Sequence, residues 1–410
     1  MVQCEGDILD ALTMLEREEL SMFRLFQVFF LTLMLPQVVS AAIEIPVVYL
    51  KQDVPRPPVL SNLDPVPDDL GSAGADLGLA DNMTTGKFLG HTYTLETIVV
   101  PEGGDWIASA KQALALSPYV ILDAPSDLLL GVADLPEAKD ALLFNATSPD
   151  VALRNESCRA NLLHTLPSNR MRTDALIQFF VKRRWTTLAL ISGAHPQDQA
   201  FADSLKHSVT KFGLKLKAEK EWVFNADMRR NAAQEVPLFT QDLGEYDALL
   251  LADELDDFGR YIAYNTWIAR PVAGSDGLRP VAWSDVVEQW GAVQMQNRFH
   301  EMTGRDMRSE DYAAWAAFRS LGEAVTRTQS DDPATLRDYI MSDAFELAGF
   351  KGRPMNYRGW NGQLRQPIPL VTGRAVVATA PLEGFLHQVS ELDTLGIDQP
   401  ESKCTAFDED

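Results

Sequence analysis

Short apolar runs alternate with amphipathic stretches along most of this chain, and that alternation constrains its fold more than any other feature. Tyr119–Asp123 (YVILD), Ala141–Asn145 (ALLFN), Thr186–Ser192 and Asp247–Ala252 (DALLLA) are too short for helices and apolar at nearly every position. Strands buried on both faces read this way. Ile43–Leu50, His91–Val99, Asn161–Thr165 and Leu214–Val223 add further strands. Between them, Gly71–Thr85, Asp105–Leu116, Arg170–Arg184 and Pro196–Phe212 carry helical spacing. Strands joined by helices form parallel sheets, so the chain reads as α/β. The rhythm runs once to about Cys158 and then restarts, which predicts two lobes with a cleft between them. Helices over Val286–Thr303, Ser309–Thr328 and Pro333–Tyr339 come next, then a β-like tail with turns at Gly352 and Asn361-Gly362, and a terminal extension. At 410 residues, 46% of them hydrophobic, the chain can supply more than one core.

A formal net charge of −22 argues against nucleic acid or an anionic membrane as the main partner. Leu25–Leu35 is an apolar run of eleven, too short to span a bilayer, preceded by Arg24 and followed by Pro36 and small residues up to Ala42. It reads as a secretory signal over residues 1–42, with residues 1–21 a mis-called start and Met22 the true one. No other segment has transmembrane length, so direct membrane insertion is not expected. After the signal, Cys158 and Cys404 remain. In an oxidising compartment they allow one disulfide, with two unpaired thiols as the alternative. Asn82, Asn145 and Asn155 stand in N-x-S/T sequons.

The loop Gly193-Ala-His-Pro-Gln-Asp-Gln199, between a strand and an amphipathic helix, is the first candidate for chemistry. A phosphate cradle needs glycines so that backbone N–H groups can approach the anion. This loop has one glycine, and neither GxxxxGK[ST] nor GxGxxG occurs in the chain. The GxSxG elbow of α/β hydrolases is absent too, which leaves no motif for nucleophilic catalysis. The histidines, at 91, 164, 195, 207, 300 and 387, have no zinc-ligand spacing. Asp253-Glu254-Leu-Asp256-Asp257 is the best oxygen-rich stretch for a hard cation, and a helix N-terminus that favours acids is its alternative reading. No metal, cofactor or enzymatic activity is expected.

Four stretches carry a resemblance. LLFNATSPDVALRNESCRANLLHTLPSN, ALISGAHPQDQAFADSLKHSVTKFGLKL, DYAAWAAFRSLGEAVTRTQSDDPATLRDYI and FELAGFKGRPMNYRGWNGQLRQPIPL together resemble the type I periplasmic substrate-binding proteins of the branched-chain amino-acid ABC-transporter group. RPVAGSDGL, EQWGAVQMQNRF and FKGRPMNYRGWNGQLRQPI resemble, more narrowly, the branch found beside PQQ-dependent alcohol dehydrogenase systems.

The resemblance implies two doubly wound parallel-sheet lobes joined by a three-strand hinge. It places the first part of the N-lobe at 43–163, the first part of the C-lobe at 164–290, the N-lobe return at 291–346, the closing segment at 347–385 and an extension at 386–410. The loop Gly193–Gln199 then forms one lip of the cleft, where open α/β sheets bind ligands. The implied ligand contacts are Ser126, Asp127, Asn145, Thr147 and Ser148 from the N-lobe, and His195, Asp198, Gln199, Asp253 and Glu254 from the C-lobe. Two departures from the pattern bear on the ligand. Gln197–Ala200 stands where amino-acid binders place an aromatic residue, and Lys51–Pro58 replaces a Gly- and Ser-rich loop. Tyr49 and Trp283 are the candidates for an aromatic wall. The implied function is a monomeric periplasmic solute-binding component of an ABC transporter, with a small-molecule ligand and an ABC permease as partners. A non-transport sensor or accessory protein of the same fold is the alternative.

Overall fold

The computed structural model describes residues 42–55, 65–223 and 228–408. The expected signal region lies outside the described residues apart from Ala42, as does much of the Pro-rich loop. Among the described residues, no helix is long and apolar enough to cross a membrane.

The first lobe is laid down in chain order as β1 (Ile43–Gln52), α1 (Ser72–Leu89), β2 (His91–Val100), α2 (Trp106–Leu116), β3 (Tyr119–Asp123), α3 (Ser126–Ala133), β4 (Leu142–Asn145) and β5 (Leu162–His164). The strands form one parallel sheet in the order β2-β1-β3-β4-β5. Along β1 the pleat sends Ile45, Val47 and Tyr49 to one core and Val48 and Leu50 to the other. Helices therefore cover both faces, as buried parallel sheets require.

The second lobe repeats the plan with α4 (Asn169–Arg183), β6 (Thr187–Ser192), α5 (Pro196–Lys211), β7 (Lys215–Glu221), α6 (Met228–Thr240), β8 (Ala248–Ala252), α7 (Gly259–Ile262) and β9 (Val272–Gly274). Its parallel sheet has the order β7-β6-β8-β9. Leu188 and Leu190 face the core with α4 and α5, while Ala189 and Ile191 face the core with α6 and α7. After β10 (Arg279–Pro280), the chain returns to the first lobe as α8 (Ala292–Thr303), α9 (Ser309–Thr328), α10 (Pro333–Met341), β11 (Asn356–Tyr357) and β12 (Leu364–Arg365). It ends with β13 (Ile368–Thr372) and β14 (Ala375–Ala380), which join β10 in an antiparallel sheet against α4.

The α/β class and the two-lobed plan match the expectation; several boundaries do not. The helix expected over Val286–Thr303 starts only at Ala292. Trp290 and Gly291 both have positive φ, which a right-handed helix cannot accommodate, and Val287 is anchored in the N-lobe core. The N-lobe return begins before residue 291, because Ala282 and Trp283 already pack in that core. It also runs past 346, since Leu347, Met355, Tyr357 and Leu364 share the same core. His164 pairs in the N-lobe sheet rather than opening the C-lobe. The chain thus crosses between lobes near residues 167–170, at Val281 and at 365–367. All three sequon asparagines are buried: Asn82 donates to Phe318 O at 2.8 Å, Asn145 is fully enclosed, and Asn155 is 8% exposed. Cys158 and Cys404 are joined by a disulfide.

Candidate functional site

The cleft between the lobes has a volume of about 2450 Å³. Small-molecule sites usually enclose roughly 300–1,000 Å³. The cleft is therefore far larger than one small ligand needs, and it would have to narrow to enclose one.

The N-lobe wall is built at the ends of β3 and β4. After β3 the chain turns at Pro125 into α3, whose first amides have no intrahelical acceptor. Pro125 is the N-cap and has no side-chain acceptor for them. After β4, the buried Asn145 folds the next loop around its own amide. Its Oδ1 accepts from Thr147 N at 3.2 Å and Ser148 N at 2.9 Å, and its Nδ2 donates to Ser148 O at 2.9 Å. The same Nδ2 lies 3.1 Å from His164 Nδ1. Burial, and then the Arg154 guanidinium, hold the His164 pKa well below its ordinary value, so the ring is neutral and can accept. The result is a cluster of hydroxyls beside the start of α3. Ser126 Oγ and Ser148 Oγ are 2.9 Å apart, and Thr147 Oγ1 accepts from Ala124 N at 3.2 Å. Ser126, Asp127, Thr147 and Ser148 line the cleft, whereas Asn145 stands behind them and shapes the loop.

Arg154 braces this loop from below. The fully buried guanidinium donates to Ser148 O and Asp150 O, both at 2.8 Å, to Leu166 O at 3.0 Å and to Gln363 Oε1 at 2.8 Å. The cleft-lining loop and the hinge therefore share one side chain. Nothing in the sequence around Arg154 marks it, because its partners come from three separate stretches.

On the C-lobe wall the expected residues divide. Asp253 and Glu254 line the cleft, as do Pro196, Gln197 and Ala200 of α5. His195, Asp198 and Gln199 do not. Asp198 is buried: Oδ2 accepts from His195 N at 3.3 Å and Oδ1 from Glu254 N at 2.6 Å, and burial raises its pKa. Gln199 turns back on its own loop, donating to Gly193 O at 2.6 Å. His195 is partly exposed, and its Nε2 lies 4.0 Å from Asp257 Oδ2. Their expected role as direct contacts is thus replaced, for Asp198 and Gln199, by a role in holding the lip. The helix face requires this: positions 196, 197 and 200 point outward while 198 points in.

The acidic stretch after β8 takes the form of a helix start. Asp253 accepts N–H bonds from Asp257 at 2.9 Å, Phe258 at 2.9 Å and Gly259 at 2.6 Å. Burial raises its pKa to about 6 against the pull of those amides. Glu254 is bound by Arg172 at 2.5 and 3.1 Å and by Ser275 Oγ at 2.7 Å. Among the described residues, no group of three or more His, Cys, Asp or Glu side chains is arranged to hold a metal ion.

Of the two expected aromatic walls, Trp283 lines the cleft, stacked on Tyr312 with ring centroids 4.8 Å apart and 7° between planes. Tyr49 is buried and donates to Asp123 Oδ2 at 2.8 Å, outside the lining. Tyr264, which lines the C-lobe side and is 93% exposed, escaped the sequence reading. An exposed aromatic after a short helix carries no pattern in sequence.

No protein-family profile and no curated protein matches the chain. Solved structures do share its fold. One is a branched-chain amino-acid ABC-transporter periplasmic ligand-binding protein from Burkholderia xenovorans LB400, 14% identical, covering 88% of this chain and 100% of that one, with a TM-score of 0.68. Another is an ABC-transporter substrate-binding protein from Desulfitobacterium hafniense in complex with Leu, 15% identical, covering 82% and 98%, with a TM-score of 0.61. A third is an ABC-transporter solute-binding protein from R. palustris in complex with benzoate, 11% identical, covering 89% and 99%, with a TM-score of 0.62. The fold of this chain is that of the type I periplasmic binding proteins.

Proposed function

We propose that the protein is the periplasmic solute-binding component of an ABC transporter, and that its ligand is a small carboxylate. The observation that carries this reading is the N-lobe wall. The uncapped start of α3 stands beside the hydroxyls of Ser126, Thr147 and Ser148 and faces an open interlobe cleft. Free amides at a helix start favour an anion, the neutral hydroxyls supply directional hydrogen bonds, and the exposed Asp127 of the first turn is the one carboxylate of α3 beside them. Leucine and benzoate, bound by two proteins of this fold, both carry a carboxylate.

The C-lobe wall bears on the rest of the ligand. Asp198, Asp253 and Glu254 are engaged within their own lobe, so none of the three is spare for an ammonium group. An acid lacking an α-amino group suits this wall, and Asp127, exposed on the N-lobe wall, is a cleft carboxylate left to meet an ammonium group. The resemblance to the branch beside PQQ-dependent alcohol dehydrogenases points the same way, toward an acid derived from alcohol oxidation. Binding proceeds by lobe closure: ligand touching both walls favours the closed state by its differential affinity, and no bond is made or broken.

Thermal unfolding against a panel of short-chain carboxylates, their parent alcohols and matched α-amino acids tests the reading. A ligand at ~100 times its Kd stabilises by about 2.7 kcal/mol. Stabilisation by carboxylates and not by alcohols is the expected pattern. A panel in which no carboxylate shifts the transition overturns the proposal.

A further inference from the structure

The terminal extension docks on both lobes. On the C-lobe, Gly396 N donates to Asp174 Oδ2 at 2.8 Å, and Lys211 Nζ reaches Asp174 Oδ2 at 2.9 Å and Gly396 O at 3.0 Å. Gln178 Nε2 donates to Thr394 Oγ1 at 2.9 Å, and Leu395 is part of the C-lobe core. These partners all lie on α4 and α5. On the N-lobe, Lys403 N donates to Asn155 Oδ1 at 2.7 Å, Cys404 is bonded to Cys158, and Phe407 packs against the N-lobe core. No residue of 386–408 lines the cleft.

Between the two docks, residues 398–402 run largely exposed. The chain therefore passes between the lobes a fourth time, away from the cleft, and this passage is closed covalently at its N-lobe end. The N-lobe also grips the strap where it meets the C-lobe. Arg358, beside the β11–β12 turn, donates to Asp393 Oδ1 at 2.9 Å and to Leu395 O at 2.6 Å, and Arg365 donates to the same carboxylate oxygen at 2.8 Å.

We propose that residues 392–404 form a strap that limits rotation of the lobes about the three hinge crossings, and so regulates opening of the proposed binding cleft. The inference rests on lobe rotation being the working motion. Extended single crossings absorb rotation through a few backbone dihedrals at small cost. A tether docked at both ends is different, because its free part has a fixed contour. The span from Ile397 to Lys403 reaches at most on the order of 20 Å when fully extended. Lobe separation along this edge cannot exceed that length unless a dock is broken.

The test is to sever the strap after folding. A protease site inserted between Glu401 and Ser402 leaves both docks and the disulfide untouched until the folded protein is cut. In the ligand-free protein, cutting is expected to accelerate amide exchange at the three crossings by about threefold or more and to shift the radius of gyration from small-angle scattering. The Cys158→Ser, Cys404→Ser double variant, which removes the covalent part of the N-lobe dock, is expected to move both readouts the same way by a smaller amount. Unchanged exchange at the crossings together with an unchanged radius of gyration after complete cutting overturns the strap. Because no ligand enters this experiment, its failure is separate from a silent carboxylate panel.

Discussion

Asp198 accepts the backbone N–H of Glu254 at 2.6 Å, joining the start of α5 to the loop after β8. The two loops are the C-lobe lip of the cleft, and a buried carboxylate sets the distance between them. Replacing Asp198 by Ala strips two backbone donors, His195 N and Glu254 N, of their acceptor. Each orphaned donor costs about 1–3 kcal/mol, so Asp198→Ala is expected to destabilise the protein by about 2–6 kcal/mol. Asp198→Asn, which retains one acceptor oxygen, should cost less. Urea unfolding midpoints measure both. A fully stable Asp198→Ala protein with weakened carboxylate binding would return Asp198 to the role of a direct contact.

The N-lobe hydroxyls carry the affinity prediction. A hydrogen bond to a charged group contributes about 1.5–3 kcal/mol. Ser126→Ala and Thr147→Ala are each expected to weaken binding of the best panel carboxylate by about tenfold or more while leaving the parent alcohol's weak signal unchanged. Isothermal titration calorimetry decides it. Equal loss for acid and alcohol would mean that the hydroxyls shape the cleft without meeting the anion.

The fold was legible because its strands are short, apolar and regularly spaced: Ala248–Ala252 or Tyr119–Asp123 can hardly be anything else in an α/β chain. The helices missed have local causes. Ser126–Ala133 is only eight residues long, and Met228–Thr240 contains Pro237, a residue that normally argues against a helix interior. The site was legible only as strand ends. Which side chains face the cleft depends on contacts far apart in sequence, as between Asp198 and Glu254, or between Arg154 and Gln363. No periodicity encodes such pairs.

Asp253 gives a pH prediction with a definite sign. Its folded pKa of about 6 lies above the ordinary aspartate value of 3.8. The folded state therefore holds a proton that the unfolded state has released over that interval. The stability from this group is fully present below the unfolded pKa and is lost as pH rises from about 4 to about 6, by up to about 3 kcal/mol. Asp253→Asn cannot ionise, so its stability should fall less across the same window. Unfolding free energies of the two proteins, measured at half-unit pH steps, give the comparison, and parallel curves would rule out Asp253 as the group responsible.

Arg358 and Asp393 are both about 1% exposed, and the pair ties the N-lobe hairpin to the strap. Removing one partner leaves an uncompensated buried charge, at a cost of about 3–5 kcal/mol. Arg358→Met alone leaves Asp393 paired with Arg365, so it is expected to cost less than that. In Asp393→Leu alone, both Arg358 and Arg365 lose their shared acceptor, and the loss should be at least as large. The double variant should be milder than the sum of the singles, because of the three charges only Arg365 then remains. Strict additivity in a double-mutant cycle would show that the two side chains act independently.

Tyr264 offers a way to watch closure itself. Its side chain is 93% exposed on the C-lobe side of the cleft, so it contributes little to the stability of the open form. Tyr264→Ala is expected to leave the melting temperature of the ligand-free protein nearly unchanged, since surface substitutions usually fall within about 0.5 kcal/mol. If closure brings this ring onto the ligand or the opposite wall, the same variant loses apolar burial only in the bound state. An aromatic ring buried on closure contributes on the order of 1–3 kcal/mol, so affinity should fall by about five- to a hundredfold, mostly through faster dissociation. Trp283, on the opposite side of the hinge, provides a fluorescence signal for the same event. Wild-type affinity in Tyr264→Ala would place this ring outside the closed interface.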